Sequence, residues 1–110
     1  MDRITPLETM LAAGKDNSLL RYGLGQAYLD DGQPTPAITH LRACVAHDAT
    51  YSAAWKLLGK AYMAAGDTAA AADAWRHGIA AAQGRGDKQA EKEMTVFVRR
   101  AERSPGPHPD

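Results

Sequence analysis

The sequence predicts an all-α fold, an α-solenoid of about six antiparallel helices. The segment Leu-Gly-x-Ala-Tyr at residues 24–28 returns at residues 58–62, and a repeat of 34 residues is typical of stacked helix pairs. Apolar residues recur at helical spacing between glycines and capping residues. The chain is 45% hydrophobic but only 6% aromatic, and its many alanines favour close packing of helix on helix.

Length and charge limit the function classes. A chain of 110 residues predicts one domain, and 13 basic against 13 acidic residues give no net charge. Nothing in this balance indicates a nucleic acid or an anionic membrane as partner. The single cysteine, Cys44, excludes an internal disulfide and suits a reducing compartment. No apolar run resembles a signal peptide or a membrane span, so we expect a protein of a bacterial-like cytoplasm.

The first helix is predicted from a capping box. Thr5 stands as the N-cap, Pro6 as the first helical residue and Glu8 as the residue that completes the box. Gly14 is placed to end this helix. Asp16, Asn17 or Ser18 can then cap a second helix, which we expect to end at Gly32.

The third helix is predicted to begin at Thr35-Pro36 and to end near His47, which completes a first unit at residues 18–51. A second unit, residues 52–85, repeats the plan. Its first helix is expected from Ser52 to about Ala65, and its second from a cap at Asp67 or Thr68 to about Gln83. Trp75 takes the inward position that Leu41 holds in the first unit.

A final helix is predicted from a cap at Asp87 to about Arg103. One face is apolar and the other is charged, as a terminal helix that protects a repeat stack requires. Residues 1–103 therefore form the predicted domain, in which residues 87–103 are the capping helix. Residues 104–110 contain three prolines, and we expect this tail to be disordered.

Residues 52–85 resemble the tetratricopeptide repeat. The matching positions are Trp55, Leu58, Gly59, Tyr62, Gly66, Ala71 and Trp75. Residues 18–51 match at Leu24, Gly25, Tyr28, Gly32 and Ala37, but have Arg21 and Leu41 where aromatic residues are usual. The first helix is similar to the second half of a preceding unit, and the last to the first half of a following one.

The resemblance implies a non-enzymatic module that binds a peptide or helix of a partner protein in a concave groove. The implied groove residues are Tyr22, Gln26, Leu29, Lys56, Lys60, Met63, Lys88 and Arg99. Within the first two helices of the groove these residues follow the spacing i, i+4, i+7 and so share a face. The last two residues follow if Ala90 of the final helix takes the position of Trp55.

Basic residues exceed acidic ones along this groove, which favours an acidic or carboxylate-bearing partner. The alternative is that Lys56 and Lys60 only solvate an exposed helix face. A second reading of the function is a structural protein that associates weakly with itself and binds no peptide.

No motif of catalysis or cofactor binding is present in the sequence. His40 and His47 stand seven residues apart, without the i, i+4 spacing or the carboxylate of a metal site, and we expect them at the surface. Neither a nucleophile motif nor a phosphate-binding loop after a strand occurs. We expect no enzyme activity, no cofactor and no metal, and we expect Cys44 to be a buried, inert thiol.

Overall fold

The computed structural model describes residues 2–103, which form six helices and no strand. The predicted disorder of residues 104–110 lies outside the described residues. Short turns join the helices, so that each one packs against the next in antiparallel fashion, and α4 also contacts α2 and α6. The predicted all-α solenoid is confirmed. The helices are α1 (Ile4–Ala12), α2 (Ser18–Asp30), α3 (Pro34–His47), α4 (Ser52–Ala64), α5 (Thr68–Arg85) and α6 (Lys88–Arg103).

Three predicted caps form as expected at the starts of helices. The side chain of Asn17 accepts a hydrogen bond from the backbone N–H of Leu20 at 2.8 Å. Asp67 caps α5 and Asp87 caps α6 in the same way, at 3.0 and 3.1 Å. Each cap satisfies a backbone donor that has no partner within its own helix.

Three other boundaries differ from the prediction. The helix α1 begins at Ile4 and is capped by Asp2, whose carboxylate accepts from two backbone N–H groups, so Thr5 is not the N-cap. The helix α3 begins one residue early because Pro34, which has no N–H to satisfy, takes the first helical position. The helix α5 runs through Gly84 and ends at Arg85, and Gly86 follows as its C-cap with a φ of 71°.

Within the core of each unit, a glycine of the first helix contacts a large side chain of the second helix. A Cβ atom placed on Gly25 would lie 2.4 Å from Leu41, and one placed on Gly59 would lie 2.1 Å from the indole nitrogen of Trp75. Leu41 is fully buried and Trp75 is 5% exposed. The predicted exchange of leucine for tryptophan at the same inward position is confirmed.

The helix α6 closes the stack with an apolar face. Met94 is fully buried, and its sulfur occupies the space beside Gly78 that a side chain there would fill. Val98 and Ala101 are buried on the same face, and Phe97 is half-buried against the ring of Trp75. This packing brings one flank of α6 beside α4, where the candidate site lies.

Candidate partner-binding groove

The predicted groove residues of α2 lie along one row. Tyr22 is half-buried and stacks on Tyr51, with 5.1 Å between the ring centroids. Gln26 is exposed and Leu29 is half-buried beside the core of the first unit. This row therefore offers an aromatic and aliphatic edge with one amide between them.

The row on α4 has two cations, and each contacts α6. The Nζ atom of Lys56 lies 2.7 Å from a carboxylate oxygen of Glu93, and this hydrogen bond lowers the pKa of Glu93. The Nζ atom of Lys60 lies 5.8 Å from the ring centroid of Phe97, at cation–π distance. Met63 is 43% exposed. Because Glu93 balances Lys56, the groove is less basic there than the sequence suggested.

Lys88 and Arg99 are exposed, but they stand apart from the α4 row. They share a flank of α6 with Glu91 and Glu102, which lie three residues further along the helix and bond to α5.

The residues of α6 that face α4 are Glu93, Phe97 and Arg100. Sequence reasoning missed them as groove residues, although their spacing of i, i+4, i+7 is the spacing of the α4 row.

A hollow of about 430 Å³ opens between the C-terminal halves of α4 and α6. Aromatic, thioether and alanine groups form most of its surface, and two cations stand in its wall. Its lining residues are Lys60, Met63, Trp75, Phe97, Arg100 and Ala101. Within residues 2–103 neither Lys60 nor Arg100 forms an ion pair. We call this space the α4–α6 hollow.

A second space, of about 380 Å³, lies at the N-terminal ends of the same two helices. Its charged lining consists of Lys56, Asp87 and Glu93, so it is more acidic than the α4–α6 hollow. The ion pair of Lys56 with Glu93 crosses from one helix to the other at this end.

The opposite face of the solenoid has a cleft of about 510 Å³ between α3 and α5. Trp55 lies in this cleft, where its indole N–H donates to the carbonyl of Ala49 at 2.8 Å. The indole also stacks on His77, with 4.8 Å between centroids. The two tryptophans of the chain thus line different faces.

The predicted surface position of His40 is wrong. His40 is 8% exposed, and its ring stacks on Tyr28 of α2. Arg21 donates to Nδ1 of His40 at 3.0 Å, and Glu8 of α1 lies 3.8 Å from Nε2. Burial lowers the pKa of His40, and the neighbouring guanidinium acts in the same direction.

His47 is exposed, as expected, and bonds to Asp16 at 3.0 Å. Asp16 also pairs with Arg21, whose hydrogen bonds lower the pKa of Asp16 to about 2. Among residues 2–103, no group of three metal-ligating side chains lies close enough to hold an ion. Cys44 is fully buried, which confirms its predicted position, and burial raises the pKa of its thiol to about 11.

Comparison with known proteins identifies the family. The sequence profile of the tetratricopeptide repeat matches residues 29–90, more than half of the chain. The chain belongs to the tetratricopeptide repeat family. A "TPR repeat-containing protein" of Pseudomonas aeruginosa is 59% identical over 101 residues, which are 92% of this chain and 96% of that protein.

A solution structure of a protein from Bordetella parapertussis superimposes on this tetratricopeptide repeat chain with a TM-score of 0.80. The two share 50% identity, and the match covers 94% of this chain and 90% of the other.

Across residues 2–103, none of the helices combines the length and the apolar character needed to cross a bilayer.

Proposed function

We propose that this tetratricopeptide repeat protein is a non-enzymatic adaptor that binds a segment of a partner protein along α2, α4 and α6. Members of the family generally act as scaffolds that bind other proteins. The observation that carries the proposal is the α4–α6 hollow, an open apolar surface that includes a 43% exposed methionine. Exposed apolar surface rimmed by polar groups is typical of interaction sites.

We further propose that the partner segment is acidic. Lys60 and Arg100 supply two positive charges at the hollow, and no carboxylate lines it. A partner with carboxylates would therefore gain both faster association and a favoured register from these charges. The buried, single cysteine agrees with a cytoplasmic location for this binding.

Affinity capture from a native lysate tests the proposal with two matched variants. The groove variant Lys60→Glu, Met63→Glu changes one cation and one apolar residue of α4. The variant Arg42→Glu, Ala46→Glu makes the same kinds of change at exposed residues of the cleft between α3 and α5. We expect the groove variant alone to lose a partner that the wild-type chain captures. Loss in the cleft variant alone would place binding on the opposite face and overturn the proposal.

Self-association is the second candidate function, and the outer face of α6 favours it. Val96 is 40% exposed on this terminal helix, which no following helix covers within residues 2–103. Light scattering over a range of protein concentrations separates the two functions. A mass that rises to twice the chain mass, and returns to one chain mass in Val96→Glu, would support self-association.

A further inference from the structure

We infer that the α4–α6 hollow is an anchor subsite for one apolar side chain of the partner that has a carboxylate next to it. This inference rests on the proposed function and deepens it, because it states which chemistry the partner presents at one end of the groove. The occupant is a protein segment with an aromatic or large aliphatic residue beside an acidic one.

The apolar half of the subsite comes from three helices. Trp75 of α5 forms the base of the hollow, and the ring of Phe97 of α6 packs against the indole with 5.2 Å between centroids. Met63 of α4 also lines the hollow. Aromatic rings pack well against other aromatic or aliphatic groups, and a thioether adapts its shape to them. The volume of about 430 Å³ is sufficient for one large side chain and its flanking backbone.

The charged half is set by two cations on opposite walls. Lys60 projects from α4 and Arg100 from α6, so that both reach a carboxylate at the mouth of the hollow. A guanidinium binds a carboxylate through two parallel hydrogen bonds, and the neighbouring ammonium adds a point charge. Within the described residues neither cation forms an ion pair. Glu93 is near enough to Lys60 for the ammonium to contribute to its lowered pKa, but its hydrogen bond goes to Lys56.

The space at the N-terminal ends of α4 and α6 is unsuited to a carboxylate of the partner. Lys56 is already bonded to Glu93, and Asp87 adds a second carboxylate to that space. A partner carboxylate placed there would meet like charge and would have to displace Glu93. The two ends therefore differ in charge, with two carboxylates and one cation at the N-terminal end and two cations at the hollow.

Titration with small probes, followed by the two indole N–H signals in a ¹H–¹⁵N spectrum, tests the anchor. The probes are phenylpropionate and phenylpropanamide, which have the same ring and chain and differ in charge. Phenylpropionate should move the signal of Trp75 with a dissociation constant in roughly the low millimolar range, as expected for a ligand of its size. Trp55 is an internal control because it lies on the opposite face. The amide should bind about fivefold more weakly.

Two neighbouring arginines of α6 supply a matched pair of variants. Arg100→Met should weaken phenylpropionate binding by about two- to fivefold, whereas Arg99→Met should leave it unchanged because Arg99 lies on the other flank. Lys60→Met should act as Arg100→Met does. Equal binding of acid and amide, a shift of Trp55 alone, or equal loss in both arginine variants would each overturn the inference.

The outcome separates this inference from the proposed function. If the groove variant loses its partner but the probes fail, the groove binds proteins by another chemistry and the anchor is wrong. If the probes bind as expected but the groove variant keeps its partner, the anchor chemistry holds and the proposed function of the groove is wrong.

Discussion

The two repeat units have the same backbone plan but are held together by different chemistry. In α2 and α3 the glycine contact receives Leu41, and the preceding residue, His40, belongs to a polar network with Arg21 and Glu8. In α4 and α5 the equivalent contact receives Trp75, whose indole N–H donates to the carbonyl of Lys56 at 3.0 Å. Both units have an apolar core, but the first adds a polar network of titratable side chains, whereas the second adds packed aromatic rings.

The difference follows from what each unit packs against. The first unit receives α1, a helix without a buried residue, and Glu8 and Leu7 are its main points of contact. The second receives α6, which buries Met94 fully and also contacts α4. The short helix α1 is therefore held partly by polar contacts, whereas the longer α6 buries an apolar face against α5.

The largest effect should come from removing the large side chain of the second unit. We expect Trp75→Ala to lower the free energy of unfolding by roughly 3 to 5 kcal/mol, because it leaves a cavity and removes a buried contact of Phe97. Urea denaturation followed by far-ultraviolet circular dichroism measures this change. Leu41→Ala is the matched change in the first unit, and we expect about 2 to 5 kcal/mol. A loss within about 0.5 kcal/mol for Trp75→Ala would show that the indole does not support the core.

A methyl group added to the glycine contact should have the next largest effect. Gly59→Ala places Cβ against a rigid, hydrogen-bonded indole and should destabilise the protein by about 1 to 3 kcal/mol. Gly84→Ala is the control because its Cβ would meet no atom within 4 Å and its φ is not positive. That change should stabilise the helix by roughly 0.5 to 1 kcal/mol. If Gly59→Ala stabilises the protein as Gly84→Ala is expected to do, the indole contact does not restrict position 59.

Acid should weaken the first unit before the second. The pKa of His40 is lowered by folding, so the unfolded chain takes up a proton near pH 6.5 that the folded chain resists. Stability is therefore complete above that pH and falls as the pH drops below it. The pKa of Asp16 is about 2 instead of 3.8, so its contribution is lost as the pH falls through that interval.

Urea midpoints at about pH 7.5 and 5.5 measure the first of these steps. The wild-type midpoint should be lower at the lower pH, and His40→Gln should show a smaller difference between the two values. An unchanged pH dependence in His40→Gln would assign the effect to another group.

The last prediction concerns the reactivity of Cys44 and requires no change in the fold. Cys44 stands at the position that Gly78 takes in the second unit. Its raised pKa, about 11 instead of 9, leaves on the order of a hundredfold less thiolate at neutral pH. Alkylation by iodoacetamide should be at least this much slower in the folded protein than in urea, as followed by mass spectrometry. Equal rates in the two conditions would show that α3 opens readily.

Much of the fold could be predicted because its signals are local. The 34-residue repeat, which relates Gly25 to Gly59, predicts the helix pairs. Asn17, Asp67 and Asp87 each cap a helix by accepting from a backbone N–H three residues further along the chain. Thr5 is not the N-cap, because Asp2 offers a stronger, charged acceptor three residues earlier.

The less local features escaped prediction. His40 is buried beside Tyr28 and contacts Arg21 of α2 and Glu8 of α1, and no sequence spacing joins these residues. The rotation of α6 depends on Met94, which fits beside Gly78 and thereby turns Phe97 and Arg100 toward α4. Lys88 and Arg99, expected in the groove, lie on the opposite flank for the same reason.

The contact between Gly59 and Trp75 also constrains how such a chain can evolve. A side chain at position 59 is rejected while the indole is present, and a small residue at position 75 leaves a void while position 59 has no side chain. Each single step lowers stability, and only the paired exchange restores the lost volume. The two positions should therefore vary together among descendants of this sequence, as one inherited unit rather than two.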